Sequence, residues 1–310
     1  MHNVALTWQQ AAVLTAILAA IAAALTTAPV GRLTLLAPFA REATLISGLY
    51  ALWQLAGTLS VLGTTGAFAR GRWIERTERA WHLPSEVTIQ HAIGGNSALV
   101  QTANLYYATM HFGSLFVFLI WLFVRHRDRY AKVRRVLALT TLVCLAIQLI
   151  PVAPPRLLPQ FGYVDTAKQY GESVYGVFGA DQLSAMPSVH VAWAVLIAIA
   201  CARIGSGPWR WLGTAHAALT VFVVVATANH FWADGIVAVG VLALCAAVEA
   251  AASRMLVRLW LRMRATPEPL AGAEAEAGAE AEAGAEAGAG AGAGAGVEPA
   301  ASDLVARHLS

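Results

Sequence analysis

Two polar residues four positions apart, His230 and Asp234, stand out in a chain that is otherwise rich in apolar residues. On a helical turn, side chains at positions i and i+4 share one face. The carboxylate of Asp234 can therefore accept a hydrogen bond from one imidazole nitrogen of His230. Such a contact selects the tautomer and leaves the other nitrogen available as a nucleophile or a base.

A second polar group, Pro187-Ser188-Val189-His190, opens an apolar run. Proline suits the first turn of a helix and Ser188 can cap it, which leaves backbone N–H groups directed at an anion. If a phosphoryl group bound there, His190 would lie beside its leaving oxygen as a general acid. Arg156 offers a planar, permanently charged fork for phosphate oxygens. These residue types predict a phosphoryl site with a histidine nucleophile, a histidine acid, and no metal or other cofactor.

The composition indicates what kind of scaffold carries these groups. Of 310 residues, 58% are hydrophobic and only 13% are charged, against roughly 25% charged residues in soluble domains. The sequence therefore predicts an all-α integral membrane protein. The three cysteines lie inside apolar runs without a CxxC pair, which excludes a disulfide framework or a thiolate metal site. The basic residues cluster in a few loops, so no nucleic-acid partner is expected.

A membrane-spanning helix needs about 20 mostly apolar residues, and seven stretches of the sequence qualify. The first, 9–30, is interpreted as a retained helix because no Lys or Arg precedes it; a cleaved signal peptide is the alternative. The other six stretches form a predicted core. The seven stretches are approximately 9–30, 43–69, 104–124, 136–152, 188–203, 211–230 and 234–256.

The predicted organisation has three parts: an N-terminal helix and loop (1–42), a six-helix membrane domain (43–264) and a tail (265–310). The tail repeats Ala, Gly and Glu, a composition with too little apolar surface to offset chain entropy, so it is predicted to be disordered. An interaction arm formed by 302–310 is a weaker alternative.

Lys and Arg are densest in the loops 125–135 and 203–210 and after the last helix, which predicts that these segments and the tail are cytoplasmic. The polar groups at Arg156, Pro187–His190 and His230–Asp234 then all lie at the extracytoplasmic face. The basic cluster Arg70–Arg79 goes against this assignment, and the segment 70–100 is interpreted as interfacial. The Ala-rich, Lys-poor composition suggests a bacterial protein of the plasma membrane.

On these residues the chain resembles the type 2 phosphatidic acid phosphatase superfamily. Its signature is Lys-x6-Arg-Pro, Pro-Ser-Gly-His and Ser-Arg-x5-His-x3-Asp; the second motif corresponds to Pro187–His190 and the third to His230-x3-Asp234. The resemblance implies a six-helix phosphatase-type core in which His230 forms a phosphohistidine and is oriented by Asp234. It further implies that His190 protonates the leaving alcohol, and that Arg156 and Ser188 hold the phosphoryl group.

Four departures from the signature refine this resemblance. Val223-Val224 stands where the third motif has Ser-Arg, and Val189 replaces the glycine of the second. In the first motif, Leu149 stands in place of the lysine, and Arg156 is preceded, not followed, by proline. Reduced first and third motifs make the chain similar to the inositol phosphorylceramide synthase-like branch of inositolphosphotransferases. That branch implies transfer to an alcohol rather than to water.

The expected reaction partners are a membrane lipid, either a phospholipid or a polyprenyl phosphate, and an alcohol or water acceptor. A lipid-phosphate phosphatase with the same residues is the second hypothesis, and a non-catalytic lipid-binding or transport protein is the third. Asn104, Tyr107 and His111 share one helix face and either border the pocket or form an interhelical hydrogen-bond set. The sequence does not indicate an oligomeric state.

Overall fold

The computed structural model describes residues 6–27, 36–61, 64–171 and 182–265. Within these ranges the chain is helical and contains no strand, only one isolated parallel bridge between Val152 and Ser184. The predicted all-α class is therefore confirmed. The α-helices are α1 (Trp8–Thr27), α2 (Ala37–Val61), α3 (Ala67–Ala80), α4 (Glu86–Gly94), α5 (Ser97–Arg125), α6 (Arg127–Gln148), α7 (Thr166–Gln169), α8 (Val189–Ile204), α9 (Leu212–Ala226) and α10 (Trp232–Ala265).

Four of these segments are long and apolar enough to cross a membrane, which makes the chain a multi-pass membrane protein: Trp8–Thr27, Ser97–Arg125, Pro208–Ala226 and Trp232–Met263. Their apolar side chains are widely exposed, for example Val117 on α5 and Leu244 on α10. Outward-facing apolar surface of this extent is what lipid contact requires.

The remaining three predicted spans also lie on helices, which are not among these four. Helix α8 is apolar but has only 16 residues. Helix α6 begins with a basic stretch, so its apolar part is short, and α2 carries Arg41 and Glu42 in its first turns.

Helices α5, α6 and α8 pack on one another around a buried apolar cluster that includes Leu122, Leu137 and Leu196. Helix α9 packs against α8, α5 and α4. The first two helices, α1 and α2, pack against each other, and α2 also contacts α6, where the Glu42 carboxylate accepts hydrogen bonds from Tyr130 and Arg134. This packing gives α8 and α9 the fixed neighbours that position the polar groups at their ends.

Helix α3 corrects the predicted span 43–69, because the chain does not continue straight from α2. Gly66 has a left-handed backbone (φ 84°) directly before α3, a conformation that favours glycine. Helix α3 then buries Glu75 and Glu78. The interfacial interpretation of 70–100 is thus incomplete, because this segment also buries three glutamates, Glu75, Glu78 and Glu86, inside the protein.

Gly71 lets α3 approach the segment that precedes Arg156. A Cβ atom at Gly71 would lie 2.6 Å from the carbonyl oxygen of Ala153, well inside van der Waals contact. We therefore expect Gly71→Ala to lower the free energy of unfolding by about 1–3 kcal/mol, as measured by thermal or denaturant unfolding in detergent. Gly240→Ala is the matched control, because a Cβ there meets no atom within 4 Å. Equal stabilities of the two variants would contradict this account of the close approach.

Two predictions fall partly or wholly outside the described residues. The disordered tail concerns residues beyond 265, and the end of the first predicted span, 28–30, is likewise not described. The division into 1–42, 43–264 and 265–310 remains a prediction.

Candidate functional site

Backbone pairing between two loops builds the floor of the site. The N–H of Val152 donates to the carbonyl of Leu183 (2.6 Å), and the N–H of Ala185 donates to the carbonyl of Val152 (3.3 Å). At the end of α6, the Gln148 side chain donates to the carbonyl of Pro187 (2.9 Å). These bonds hold the segment before α8 in place and direct the carbonyl of Ala185 toward His230.

His230 is buried and its two ring nitrogens are in different environments. Nδ1 lies 2.8 Å from the carbonyl oxygen of Ala185 and 3.3 Å from Oδ2 of Asp234. A carbonyl oxygen can only accept, so Nδ1 carries a proton and donates it. Nε2 has no hydrogen-bond partner among the described residues. In the neutral ring, Nε2 therefore presents its lone pair.

The i,i+4 contact between His230 and Asp234 that the sequence predicts is confirmed, but Asp234 is not the only group that holds Nδ1 of His230. The shorter contact of Nδ1 is to the Ala185 carbonyl, a main-chain group that no residue type reveals. Oδ2 of Asp234 also accepts from the backbone N–H of Phe231 (2.9 Å). Asp234 thus caps the start of its own helix and orients the histidine that precedes it.

Ser188 is the N-cap of α8, as the sequence predicts, with its Oγ accepting from the N–H of Val191 (3.4 Å). The backbone N–H of Ser188 donates to the carbonyl oxygen of Asp234 (3.1 Å). This bond joins the two motifs directly. Ser188 is fully buried, and its assignment as a phosphate ligand remains a prediction.

His190 faces His230 from the first turn of α8, with ring centroids 5.5 Å apart. On its other sides it stacks on Tyr107 (4.6 Å) and contacts His111 (4.1 Å). These two residues of α5 therefore border the site. Asn104 instead accepts a hydrogen bond from Thr166 (3.2 Å).

The space beside His190 is small. Tyr107, His111 and His190 line a cavity of about 10 Å³, which is room for roughly one water molecule. The lining of this cavity includes neither His230 nor Arg156.

Arg156 is buried and oriented toward the residue that precedes His230. Its Nε donates to Oδ1 of Asn229 (3.0 Å), and its Nη1 donates to Oδ2 of Asp165 (3.0 Å). Its backbone N–H donates to the carbonyl of Ala228 (2.8 Å), a residue with a left-handed backbone (φ 53°). The guanidinium thereby links the loop after α6 to the turn between α9 and α10.

Three buried carboxylates, Glu75, Glu78 and Glu86, lie close behind this turn, each offering an oxygen within 4.8 Å of the others. Tyr163 donates to Glu75 (2.6 Å) and more distantly to Glu86 (3.4 Å), and Arg79 donates to Glu75 (2.6 Å). The sequence pattern alone did not indicate a role for these residues. The sequence did carry one sign of a buried cluster: three glutamates lie among the basic residues of a short amphipathic segment.

This acidic cluster, Glu75, Glu78 and Glu86, caps the start of α10. Oε1 of Glu78 accepts from the N–H of Ala233 (2.6 Å), and Oε1 of Glu86 accepts from the N–H of Trp232 (3.3 Å). The first N–H groups of a helix lack partners within the helix, and negative charge there is favourable. The cluster therefore anchors the turn that directly follows His230.

Divalent cations prefer carboxylate oxygens, but protein donors contact five of the six oxygens in this cluster. The sixth, Oε2 of Glu78, has no hydrogen-bond partner among the described residues.

Burial, together with contact with Glu86, raises the pKa of Glu78 to about 9. A proton on Glu78 therefore relieves the charge repulsion in the cluster at neutral pH.

This raised pKa predicts a pH dependence of stability. The unfolded chain releases the Glu78 proton near pH 4.5, whereas the folded protein keeps it until about pH 9. Wild-type stability contributed by this group therefore falls as the pH rises through that window. Glu78→Gln removes the titration, so we expect its unfolding temperature to rise relative to wild type between pH 5 and pH 9. Asp128→Asn, at an exposed carboxylate, is the control; a constant difference for Glu78→Gln would contradict the assignment.

Comparison with known proteins adds one finding. A family model described as the PAP2 superfamily matches residues 72–248, more than half of the chain. The matched region includes all five predicted site residues and the acidic cluster. Neither the curated proteins nor the solved structures include a match.

Proposed function

The chain belongs to the PAP2 superfamily, the type 2 phosphatidic acid phosphatases, and on that premise we propose that it transfers a phosphoryl or head-group phosphate from a membrane lipid to an alcohol. Membership supports an activity of the lipid phosphatase or phosphotransferase type. The observation that carries the finer proposal is the arrangement of His230, whose Nδ1 is held by Ala185 and Asp234 while Nε2 is unengaged.

In the first step, Nε2 of His230 attacks phosphorus and the bond from phosphorus to the lipid oxygen breaks. Protonated His190 donates its proton to the departing oxygen, which leaves as an alcohol. The product is a phosphohistidine with positive charge on the ring, and the carboxylate of Asp234 stabilises that charge.

In the second step, neutral His190 removes the proton of the acceptor hydroxyl as the acceptor oxygen attacks phosphorus. The nitrogen–phosphorus bond breaks, and its electron pair returns to Nε2. His190 ends protonated and His230 neutral, so both residues are ready for a second cycle. Two displacements at the same phosphorus divide one difficult reaction into two easier ones.

Arg156 and Ser188 are the proposed phosphate-binding residues. The guanidinium of Arg156 supplies charge beside the Asn229–His230 turn, and Ser188 sets the start of α8 so that its first N–H groups face the anion. Glu78 and Glu86 are positioning residues, because they act through the backbone of Trp232 and Ala233.

The reduced motifs favour an inositolphosphotransferase-like enzyme with a phospholipid or polyprenyl phosphate as the donor. The second candidate is a phosphatase that uses the same residues and transfers to water, which membership of the superfamily supports equally. We further propose a bacterial plasma-membrane location with the site at the extracytoplasmic face, because the basic loops lie at the other ends of the predicted spans.

The test uses purified protein in lipid nanodiscs with EDTA and a panel of labelled phospholipids and polyprenyl phosphates, each with and without alcohol acceptors. We expect labelled product from the wild type and none from His230→Ala. Alcohol-linked product supports the transferase, and free phosphate supports the phosphatase. No turnover on any lipid, with equal lipid binding by both proteins, would favour the non-catalytic alternative.

A further inference from the structure

A larger cavity, here called the groove, lies toward the ends of α5, α8 and α9 that are opposite His190 and His230. Its volume is about 1040 Å³. Arg125, at the end of α5, lines it, whereas Tyr107 of the same helix stacks on His190. The two residues are 18 positions apart, which corresponds to roughly 27 Å along a helix. The arginine end of this groove is therefore far from the candidate active site, whereas its inner end, at Met110, lies within one turn of α5 from Tyr107.

The walls of the groove are apolar and aromatic, with Phe118 and Trp121 on α5 and Ile197 on α8. On the side of the α8–α9 connection, Trp209 and Trp211 are largely exposed, and the guanidinium of Arg210 lies 4.9 Å from the Trp211 ring centroid. Aromatic residues of this kind are enriched at the membrane–water boundary. The groove thus runs from an interfacial end into the apolar depth of the helices.

The charged side chains that line the groove are all basic. Arg125, His126 and Arg210 line its interfacial end, and its described lining contains no Asp or Glu. Neither arginine forms an ion pair within the part of the chain that the structure describes. Two guanidinium groups at the mouth of an apolar groove therefore complement an anion that is attached to hydrocarbon.

At the inner end of the groove, the polar side chain already has its hydrogen-bond partners. His216 lines it, but Tyr106 bonds its Nδ1 (2.8 Å) and Ser114 bonds its Nε2 (3.0 Å). Both ring nitrogens are therefore engaged by side chains of one neighbouring helix, α5. Polar recognition of a ligand is left to the arginine end, and the remainder of the groove offers apolar contact.

We propose that this groove binds one anionic phospholipid, with the phosphate at Arg125 and Arg210 and the acyl chains against Phe118, Trp121 and Ile197. Basic pockets between membrane helices bind lipid head groups in this way. The lipid is a bound component that bridges α5 to the α8–α9 connection, and it is distinct from the substrate at His230.

The test is native mass spectrometry of the full chain released from micelles that contain phosphatidylglycerol or phosphatidylcholine. We expect the wild type to retain one phosphatidylglycerol and to retain phosphatidylcholine at least tenfold less. The double variant Arg125→Gln/Arg210→Gln should lose this preference. The matched control is Arg127→Gln/Arg129→Gln, which removes the same charge from the same region outside the groove lining and should behave as the wild type.

Equal retention of the two lipids by the wild type, or an unchanged preference in the Arg125/Arg210 variant, would overturn the proposal. Loss of the preference in both double variants would also overturn it, because a general surface charge would then explain the binding. His230→Ala is expected to retain phosphatidylglycerol as the wild type does, so the test is independent of the proposed catalytic function.

Discussion

His230→Ala is expected to lower lipid phosphate transfer by roughly 10⁴- to 10⁶-fold, the loss typical when a nucleophile is removed from a catalytic group that acts as a unit. The physical reason is that Nε2 is the unengaged nitrogen of a ring whose other nitrogen is already held by Ala185 and Asp234. The measurement is the initial rate of product formation from the active lipid of the panel, with wild type and variant at equal concentration in nanodiscs.

Two comparisons make this result specific. His91→Ala removes a histidine on an exposed part of α4 and should retain turnover close to that of the wild type. Asp234→Asn should reduce turnover by about 10³- to 10⁴-fold, because the amide no longer stabilises the charged ring. Turnover by His230→Ala within tenfold of the wild type would contradict the assignment of the nucleophile.

Arg156→Lys is expected to lower kcat/KM by about 10²- to 10³-fold. Lysine keeps one positive charge but loses the planar fork, so it cannot contact Asn229, Asp165 and a phosphate oxygen together. The measurement is a full kinetic curve for the active lipid, which separates KM from kcat. A loss in both parameters is expected from the proposed role of Arg156, which is to bind the phosphoryl group before and during transfer.

The conservative variant is chosen because Arg156→Ala would leave Asp165 without its buried cation, which destabilises a protein by about 3–5 kcal/mol. Arg129→Lys is the matched control, at an exposed arginine paired with Asp128, and should leave both kinetic parameters unchanged. An Arg156→Lys enzyme with wild-type kcat/KM and an unchanged unfolding temperature would show that Arg156 has no role in phosphate binding.

The local parts of the site were predictable from the sequence. The His230–Asp234 contact was expected from the four-residue spacing, although His230 lies just before α10 rather than on its first turn. The Ser188 cap follows from a Pro-Ser pair before an apolar run. The contact between Ala185 and His230 spans 45 positions and involves a main-chain carbonyl. It results from the pairing of two loops, to which no residue pattern points.

The contacts of the acidic cluster likewise could not be predicted from the sequence. Glu78 and Glu86 lie far in sequence from Ala233 and Trp232, which they contact. Hydropathy indicated that 70–100 is polar, and the basic residues around the glutamates suggested an interfacial surface. Charged residues are buried only when partners from elsewhere in the fold compensate them, and those partners became visible only in the folded chain.

The spans show how composition alone misplaces boundaries. The apolar stretch 43–69 includes Gly66, yet hydropathy gave no reason to separate α2 from α3 there. The left-handed backbone of Gly66 (φ 84°) precedes a helix in which Arg70 donates to the carbonyl of Pro151, in the segment before Arg156. Each of the seven predicted spans coincides with a helix, but α3, α4 and α7 were not predicted, and the ends of the helices depended on contacts with other segments.

The most direct test of the central claim is to trap the covalent intermediate. Wild-type protein would be mixed with a labelled lipid donor in the absence of an acceptor alcohol, quenched rapidly in base, digested and analysed by mass spectrometry. We predict an acid-labile, base-stable phosphoryl or head-group phosphate adduct on His230, and none in His230→Ala. An adduct on His190, or label on no histidine while product forms, would contradict the account.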